Sequence, residues 1–206
     1  MQDSLVAPGP EAPSWPDVDG VRHHFLEVRG ARLHYVEAGE GDPVVLLHGW
    51  PQHWWSWREV IEPLSERYRV ICPDIRGLGW SEASATGYRF RDLASDLIGL
   101  LDELGIERAR LVGHDWGTAA GYSACLSWPD RIVKYVATAG VTPWSADGAP
   151  ASLWARPWHA YVLAVVGDPA TTKLGIPEHA LHSWRHVGQF STEEEQAYLG
   201  PLRRDA

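Results

Sequence analysis

One carboxylate stands between two glycines in Gly113-His114-Asp115-Trp116-Gly117. An apolar, β-like run, Ala109 to Val112, leads into it, and the small residues Thr118, Ala119, Ala120 and Gly121 follow. This is the strand–turn–helix setting of a nucleophile elbow. The turn is so tight that side chains beside the central residue would clash, which is why its flanks are glycine. The central slot commonly carries Ser; here it carries Asp115. A carboxylate in that slot can attack carbon and leave an ester on the protein. The chemistry then moves from ester cleavage to opening of an epoxide or displacement of a halide. The same Asp could instead cap a helix beginning at Trp116. The pentapeptide alone leaves both readings open.

The surrounding chain supplies elements to position such a turn. Val21–Val28 and Leu33–Glu37 read as two strands joined by a turn at Arg29-Gly30. His23, His24 and His34 fall in this hairpin and are expected on the surface; no ligand spacing links them to an acid or Cys. Pro43–Leu47 is a continuous apolar run, as in a strand covered on both faces of a parallel sheet. It leads into His48-Gly49-Trp50-Pro51. Trp54 to Tyr68 has helical periodicity, with Trp57, Val60, Ile61 and Leu64 on one face. Tyr68–Cys72 is the next strand, followed by a Gly-punctuated loop, Pro73 to Ser81. Phe90–Leu104 reads as an amphipathic helix with Leu93, Leu97, Leu100, Leu101 and Leu104 inward and Gly105 as its C-cap. Ile132–Val136 is a further short strand. Alternating strands and helices predict an α/β fold with a mostly parallel, doubly wound sheet. Ligands bind beyond the carboxyl ends of its strands, where residues 48–51, 74–81 and 115 all fall.

Outside that core the composition changes. Residues 1–20 are rich in Pro, Gly and Asp and read as a disordered tail. From residue 142 a Pro- and Trp-punctuated linker gives way to short helical patterns at Tyr161–Val166 and Pro177–Val187. Thr192-Glu193-Glu194-Glu195 reads as a capping box for a last helix through Leu199. The expected organisation is therefore a tail at 1–20, an α/β core at 21–141 and a partial helical cap at 142–206.

The chain has 206 residues, 45% hydrophobic and 22% charged, enough for one sizeable core. A net charge of −9 disfavours nucleic acid and anionic membranes as partners. No apolar run reaches membrane-spanning length, and the N-terminus lacks a signal-peptide pattern. Cys72 and Cys125 have no CxxC spacing and read as small buried hydrophobes, so a cytoplasmic location is the expectation. His182 and His186 are spaced i, i+4, but no third ligand accompanies them, and a solvated helix face explains the spacing. No metal or cofactor is implied.

Three motifs in order, HGWP (48–51), DIRGLGWS (74–81) and GHDWG (113–117), resemble the α/β-hydrolase fold in its epoxide hydrolase and haloalkane dehalogenase branch. The resemblance covers about Val21 to Val141 strongly and the stretch from about Thr142 loosely. It implies that Asp115 is the nucleophile. It also implies an oxyanion hole made by the backbone N–H groups of Trp50 and Trp116, which would stabilise charge during ester hydrolysis. The Trp50 ring can meanwhile belong to a Trp-rich core. Tyr161 matches a cap tyrosine that hydrogen-bonds the epoxide oxygen, or is a helix-packing aromatic. The substrate class implied is a small apolar molecule.

The family's mechanism also needs a His to activate water and an acid to orient it. After Asp115 the sequence offers only His159, His182 and His186, all in the cap stretch. The acid slot that some dehalogenases use after the next strand reads Ala139. The C-terminal strands of the fold are thus expected to be missing, and turnover by this chain is expected to be impaired. Arg76 in Asp74-x-Arg76-Gly77 and Trp50 in place of Asn favour epoxide over haloalkane chemistry. Trp116 stands where fluoroacetate-type dehalogenases carry Arg. The alternatives are a haloalkane dehalogenase-type hydrolase and a non-catalytic, truncated hydrolase-fold protein.

Overall fold

The computed structural model describes residues 15–140, 176–184 and 190–203. The chain divides into two compact units, Met1–Val141 with Ala206, and Thr142–Asp205. In the first unit the described elements run β1 (Arg22–Val28), β2 (Ala31–Ala38), β3 (Asp42–Leu47), α1 (Arg58–Ser65), β4 (Tyr68–Pro73), α2 (Phe90–Glu103), β5 (Ala109–His114), α3 (Trp116–Ser127) and β6 (Ile132–Thr138). The second holds α4 (Ile176–Trp184) and α5 (Thr192–Leu199). The Tyr161–Val166 pattern and the Pro- and Trp-rich linker lie outside the described residues.

The six strands form one sheet in the order β1-β2-β4-β3-β5-β6. β1 and β2 form an antiparallel hairpin, and β2 meets β4 antiparallel. The hairpin turns at Arg29 and Gly30, both at positive φ (52° and 75°), as a two-residue turn matched to strand twist requires. β4, β3, β5 and β6 run parallel. From β3 the chain steps through α1 to β4 on one side. It then crosses back through α2 to β5, and continues through α3 to β6. Right-handed crossovers place α1 on one face and α2 with α3 on the other. The direction of winding therefore reverses between β3 and β5, the place where open sheets of this kind bind ligands in a crevice beyond their strand ends.

The apolar run Val44–Leu47 is buried at every position, as a central strand covered on both faces must be. α2 buries Leu93, Leu97, Leu100 and Leu101, and Gly105 follows at φ 66°. Local details differ from the sequence expectation. Trp54–Trp57 is a 3-10 turn separate from α1, with the His53 side chain accepting from Trp55 N–H at its start. Val60, expected on the inner face, is exposed while Ile61 is buried. Helix α5 is capped by Ser191 rather than Thr192. Ser191 Oγ accepts from Glu194 N–H, and Glu194 returns a bond to Ser191 N–H. Both residues satisfy the S/T-x-x-E spacing; Ser191 is the one with extended backbone.

β6, like β1, is an edge strand, hydrogen-bonded on one side only among the described residues. Val136 is 54% exposed on it and Val133 40%. An unpaired apolar edge templates association, and a Lys blunts it. Val136→Lys should lower concentration-dependent light scattering while changing stability by less than about 0.5 kcal/mol. Scattering unchanged in the variant would show that this edge does not mediate association.

Candidate active site

The loops leaving β3 and β5 meet at the crevice. β5 ends at His114, and the next residue, Asp115, sits at φ 51°, ψ −113°. That region is strained for any residue with a Cβ and persists only where the surroundings enforce it. Three glycines allow the enforcement. A Cβ on Gly113 would press on Gly117 O, one on Gly117 would overlap Leu47 O, and one on Gly49 would overlap the Asp115 side chain. The first turn of α3 therefore lies directly against the end of β3, and Gly117 N–H donates to His48 O at 3.1 Å. Asp115 N–H donates to Thr138 O at 3.2 Å. Thr118 Oγ1, 2.8 Å from both Gly113 O and Thr138 O, ties the ends of β5 and β6 beneath the turn.

Asp115 occupies the N-cap position of α3 but makes no capping hydrogen bond with its side chain. Capping calls for extended backbone, which a φ of 51° precludes. The carboxylate instead faces the other loop, where Asp115 Oδ1 accepts from Trp50 N–H at 3.0 Å. The capping alternative is thereby set aside. Trp116 opens α3 directly after Asp115. Tyr161, His159 and His186 lie outside the described residues, and His182 falls in α4 of the second unit. Ala139 follows β6 at φ 47°. Among the described residues no three His, Cys, Asp or Glu side chains are grouped to hold a metal, and no described helix is long and apolar enough to cross a membrane.

Beside this crevice lies a buried polar cluster that the sequence did not disclose. Asp74, fully buried after β4, accepts from His34 Nδ1 at 2.7 Å, from Trp54 N–H at 2.7 Å and from Trp80 N–H at 2.9 Å. His34 was expected at the surface. It is fully buried: the β2–β4 register carries it to Asp74, and the rings of Trp15, Phe25 and Trp80 pack against it. His34 Nε2 lies 3.0 Å from His23 Nδ1, and Trp15 stacks on His23 at 4.3 Å, within the stretch read as a tail. Burial by itself would raise the Asp74 pKa; the charge and hydrogen bond of His34 override it and bring it down to about 2. Burial of the His23 ring, and then its neighbour His34, push the His23 pKa from 6.5 down to about 4. Burial likewise lowers His48, against Asp74, and His114, against Asp115. Nearby, Arg76 forms a bidentate pair with Asp96, both contacts 2.7 Å, and fastens the loop after β4 to α2.

The family model for the alpha/beta hydrolase fold matches residues 42–177. The chain belongs to the α/β-hydrolase fold family. Within it the likeness runs to the epoxide hydrolase branch. It is 48% identical over 102 residues to a soluble epoxide hydrolase of Corynebacterium sp. (strain C12), covering 50% of this chain and 36% of that protein. It is 45% identical over 122 residues to epoxide hydrolase 3 of Siraitia grosvenorii, covering 58% and 39%. Among solved structures, the ligand-free epoxide hydrolase CorEH superposes with a TM-score of 0.72 at 31% identity, covering 87% of this chain and 67% of that one. Epoxide hydrolase VrEH1 from Vigna radiata gives 0.69 at 28% identity, covering 89% and 68%. The matched stretches thus span under two fifths of the two sequence relatives' own lengths.

The lowered pKa values of this α/β-hydrolase core set its acid sensitivity. An unfolded chain protonates its imidazoles near pH 6.5, whereas folded His23 does so only near pH 4. Stability should therefore fall as pH drops from about 7 to about 4, with buried His48 and half-buried His114 adding to the slope. The Asp74 contribution runs at lower pH: present above 3.8, it is lost as pH falls toward about 2. Urea midpoints at pH 7, 5.5 and 4.5 should decline, and His23→Asn should flatten the decline. An equally steep decline in that variant would remove His23 as a source of it.

Proposed function

We propose that this chain carries the nucleophilic half-site of an epoxide hydrolase acting on a small apolar epoxide, with Asp115 as the nucleophile. The observation that carries the proposal is the Asp115 carboxylate at the sharp turn, with Oδ1 already held by Trp50 N–H at 3.0 Å. Oδ1 being engaged, Oδ2 is the oxygen left to attack. Its lone pair forms an ester bond to a ring carbon while the ring C–O bond breaks. The alkoxide so released takes a proton, for which Tyr161 is the proposed donor. Water then adds to the ester carbonyl carbon as a general base, which the described residues do not supply, takes its proton. The charge gathers on Oδ1, facing Trp50 N–H and the proposed second donor, Trp116 N–H. Collapse returns the carboxylate and releases a diol. Residues 142–206 serve in this reading as part of a cap. The free thiols of Cys72 and Cys125 suit a reducing compartment such as the cytoplasm.

The first step needs only the carboxylate and a polarised ring oxygen, so it is the one to test. Incubation of the chain with styrene oxide should leave an adduct of its mass on the peptide containing Asp115. Asp115→Asn, with the fold retained by circular dichroism, should leave none. A folded wild-type chain without an adduct would overturn the assignment. Adducts from 1-haloalkanes with release of halide, and none from epoxides, would move it to dehalogenation.

A further inference from the structure

We propose that His48 is a positioning residue: it aims the Trp50 N–H at Asp115 by holding the peptide unit between Gly49 and Trp50 from its far side. The inference rests on the proposed role of Asp115 and concerns how that site is held. The hydrogen inventory of the ring carries it. Ile75 N–H lies 2.9 Å from His48 Nε2, and a backbone N–H can only donate, so Nε2 accepts and bears no hydrogen. The ring is fully buried, and burial keeps it neutral. Its one hydrogen is therefore on Nδ1, which lies 2.9 Å from Gly49 O and donates to it. Asp74 Oδ1, 3.8 Å from Nε2, is beyond hydrogen-bond reach and forms no ion pair with a neutral ring.

The Gly49–Trp50 peptide is trans, so its C=O and N–H point in opposite directions within one plane. Anchoring Gly49 C=O on His48 Nδ1 directs Trp50 N–H the other way, and Asp115 Oδ1 is what stands there. The need for an anchor follows from residue 49 itself. Only glycine fits against the Asp115 side chain, and glycine restrains the plane of its following peptide least of all residues. His48 restores, together with Gln52 N–H, which also donates to Gly49 O at 2.9 Å, the restraint that a side chain at 49 would have given. It is in turn held by Ile75, next in sequence to Asp74, so the restraint runs from the buried carboxylate to the crevice.

Two variants separate the two ends of the ring. Asn at 48 can return an N–H near the Nδ1 position; Gln can return an acceptor near Nε2 but not the Nδ1 donor. Loss of one oxyanion donor costs roughly 10²- to 10³-fold in rate, and a donor merely loosened in aim should cost about tenfold. His48→Gln should therefore slow the hydrolytic loss of the styrene oxide adduct from Asp115 about tenfold and move the Trp50 amide proton resonance upfield. His48→Asn should preserve both. In the wild-type chain, imidazole nitrogen shifts should report the Nδ1–H tautomer of His48, independently of how either variant folds. The Nε2–H tautomer, or equal slowing by both variants with the Trp50 amide unmoved, would overturn the positioning role. A wild-type chain that escapes labelling while its tautomer and amide shifts follow expectation would overturn the chemistry and leave the positioning intact.

Discussion

A carboxylate taken wholly out of water is tolerated only where donors replace its hydration, and Asp74 imposes that condition on the loops around the crevice. Its three donors come from three places in the chain: the hairpin through His34, the loop after β3 through Trp54 N–H, and its own loop through Trp80 N–H. None of these segments can move away without leaving a buried charge short of a partner. Gly79 completes the arrangement, since a Cβ there would overlap the Asp74 carboxylate. The loops that would otherwise be the most mobile part of an open sheet are thereby tied to its most buried charge. That rigidity is needed by a site built from loop backbone rather than from side chains on strands.

A second constraint is steric. Where the winding of the sheet reverses, β3 and β5 are neighbours, and the loop after β3 lies beside the turn after β5. Close approach there is possible only because Gly49, Gly113 and Gly117 remove the side chains that would intervene. The strained backbone of Asp115 is the local cost, of order 1–3 kcal/mol. Hydrogen bonds through Thr118 and Thr138, and burial of β3 and β5, offset it.

Much of this was legible in the sequence, because it rests on local signals. Continuous apolar runs marked the buried strands, and Gly-x-Asp-x-Gly marked a turn that only small flanks permit. The ordered motifs at 48–51, 74–81 and 113–117 marked the family. The pairing of His34 with Asp74 was not legible. It joins residues 40 apart through an antiparallel β2–β4 register, and no periodicity in either strand specifies that register. A His between Leu33 and Tyr35 reads as polar until the fold brings the rings of Trp15, Phe25 and Trp80 against it. The bond from Trp50 N–H to Asp115 was implied only through family likeness, because the direction of a backbone N–H follows from the path of the chain and not from residue type.

An aspartate at this turn also differs from the more usual serine in what the N–H donors meet before any reaction. With a serine, the oxyanion exists only after attack on the substrate's carbonyl, and the donors wait for it. With Asp115 the carbonyl oxygen of the proposed ester is one of the protein's own carboxylate oxygens, already bonded to Trp50 N–H at rest. In the proposed cycle the same donor would serve the carboxylate, the ester and the tetrahedral oxyanion in turn. Its bond to the resting carboxylate stabilises the ground state and so does nothing to speed alkylation. Its benefit falls on hydrolysis, where Oδ1 regains full charge at the same place with no reorganisation of the hole. On this account the tightly held Gly49–Trp50 peptide serves the second half of the cycle, while the first depends on the freedom of Oδ2 and on polarisation of the leaving oxygen.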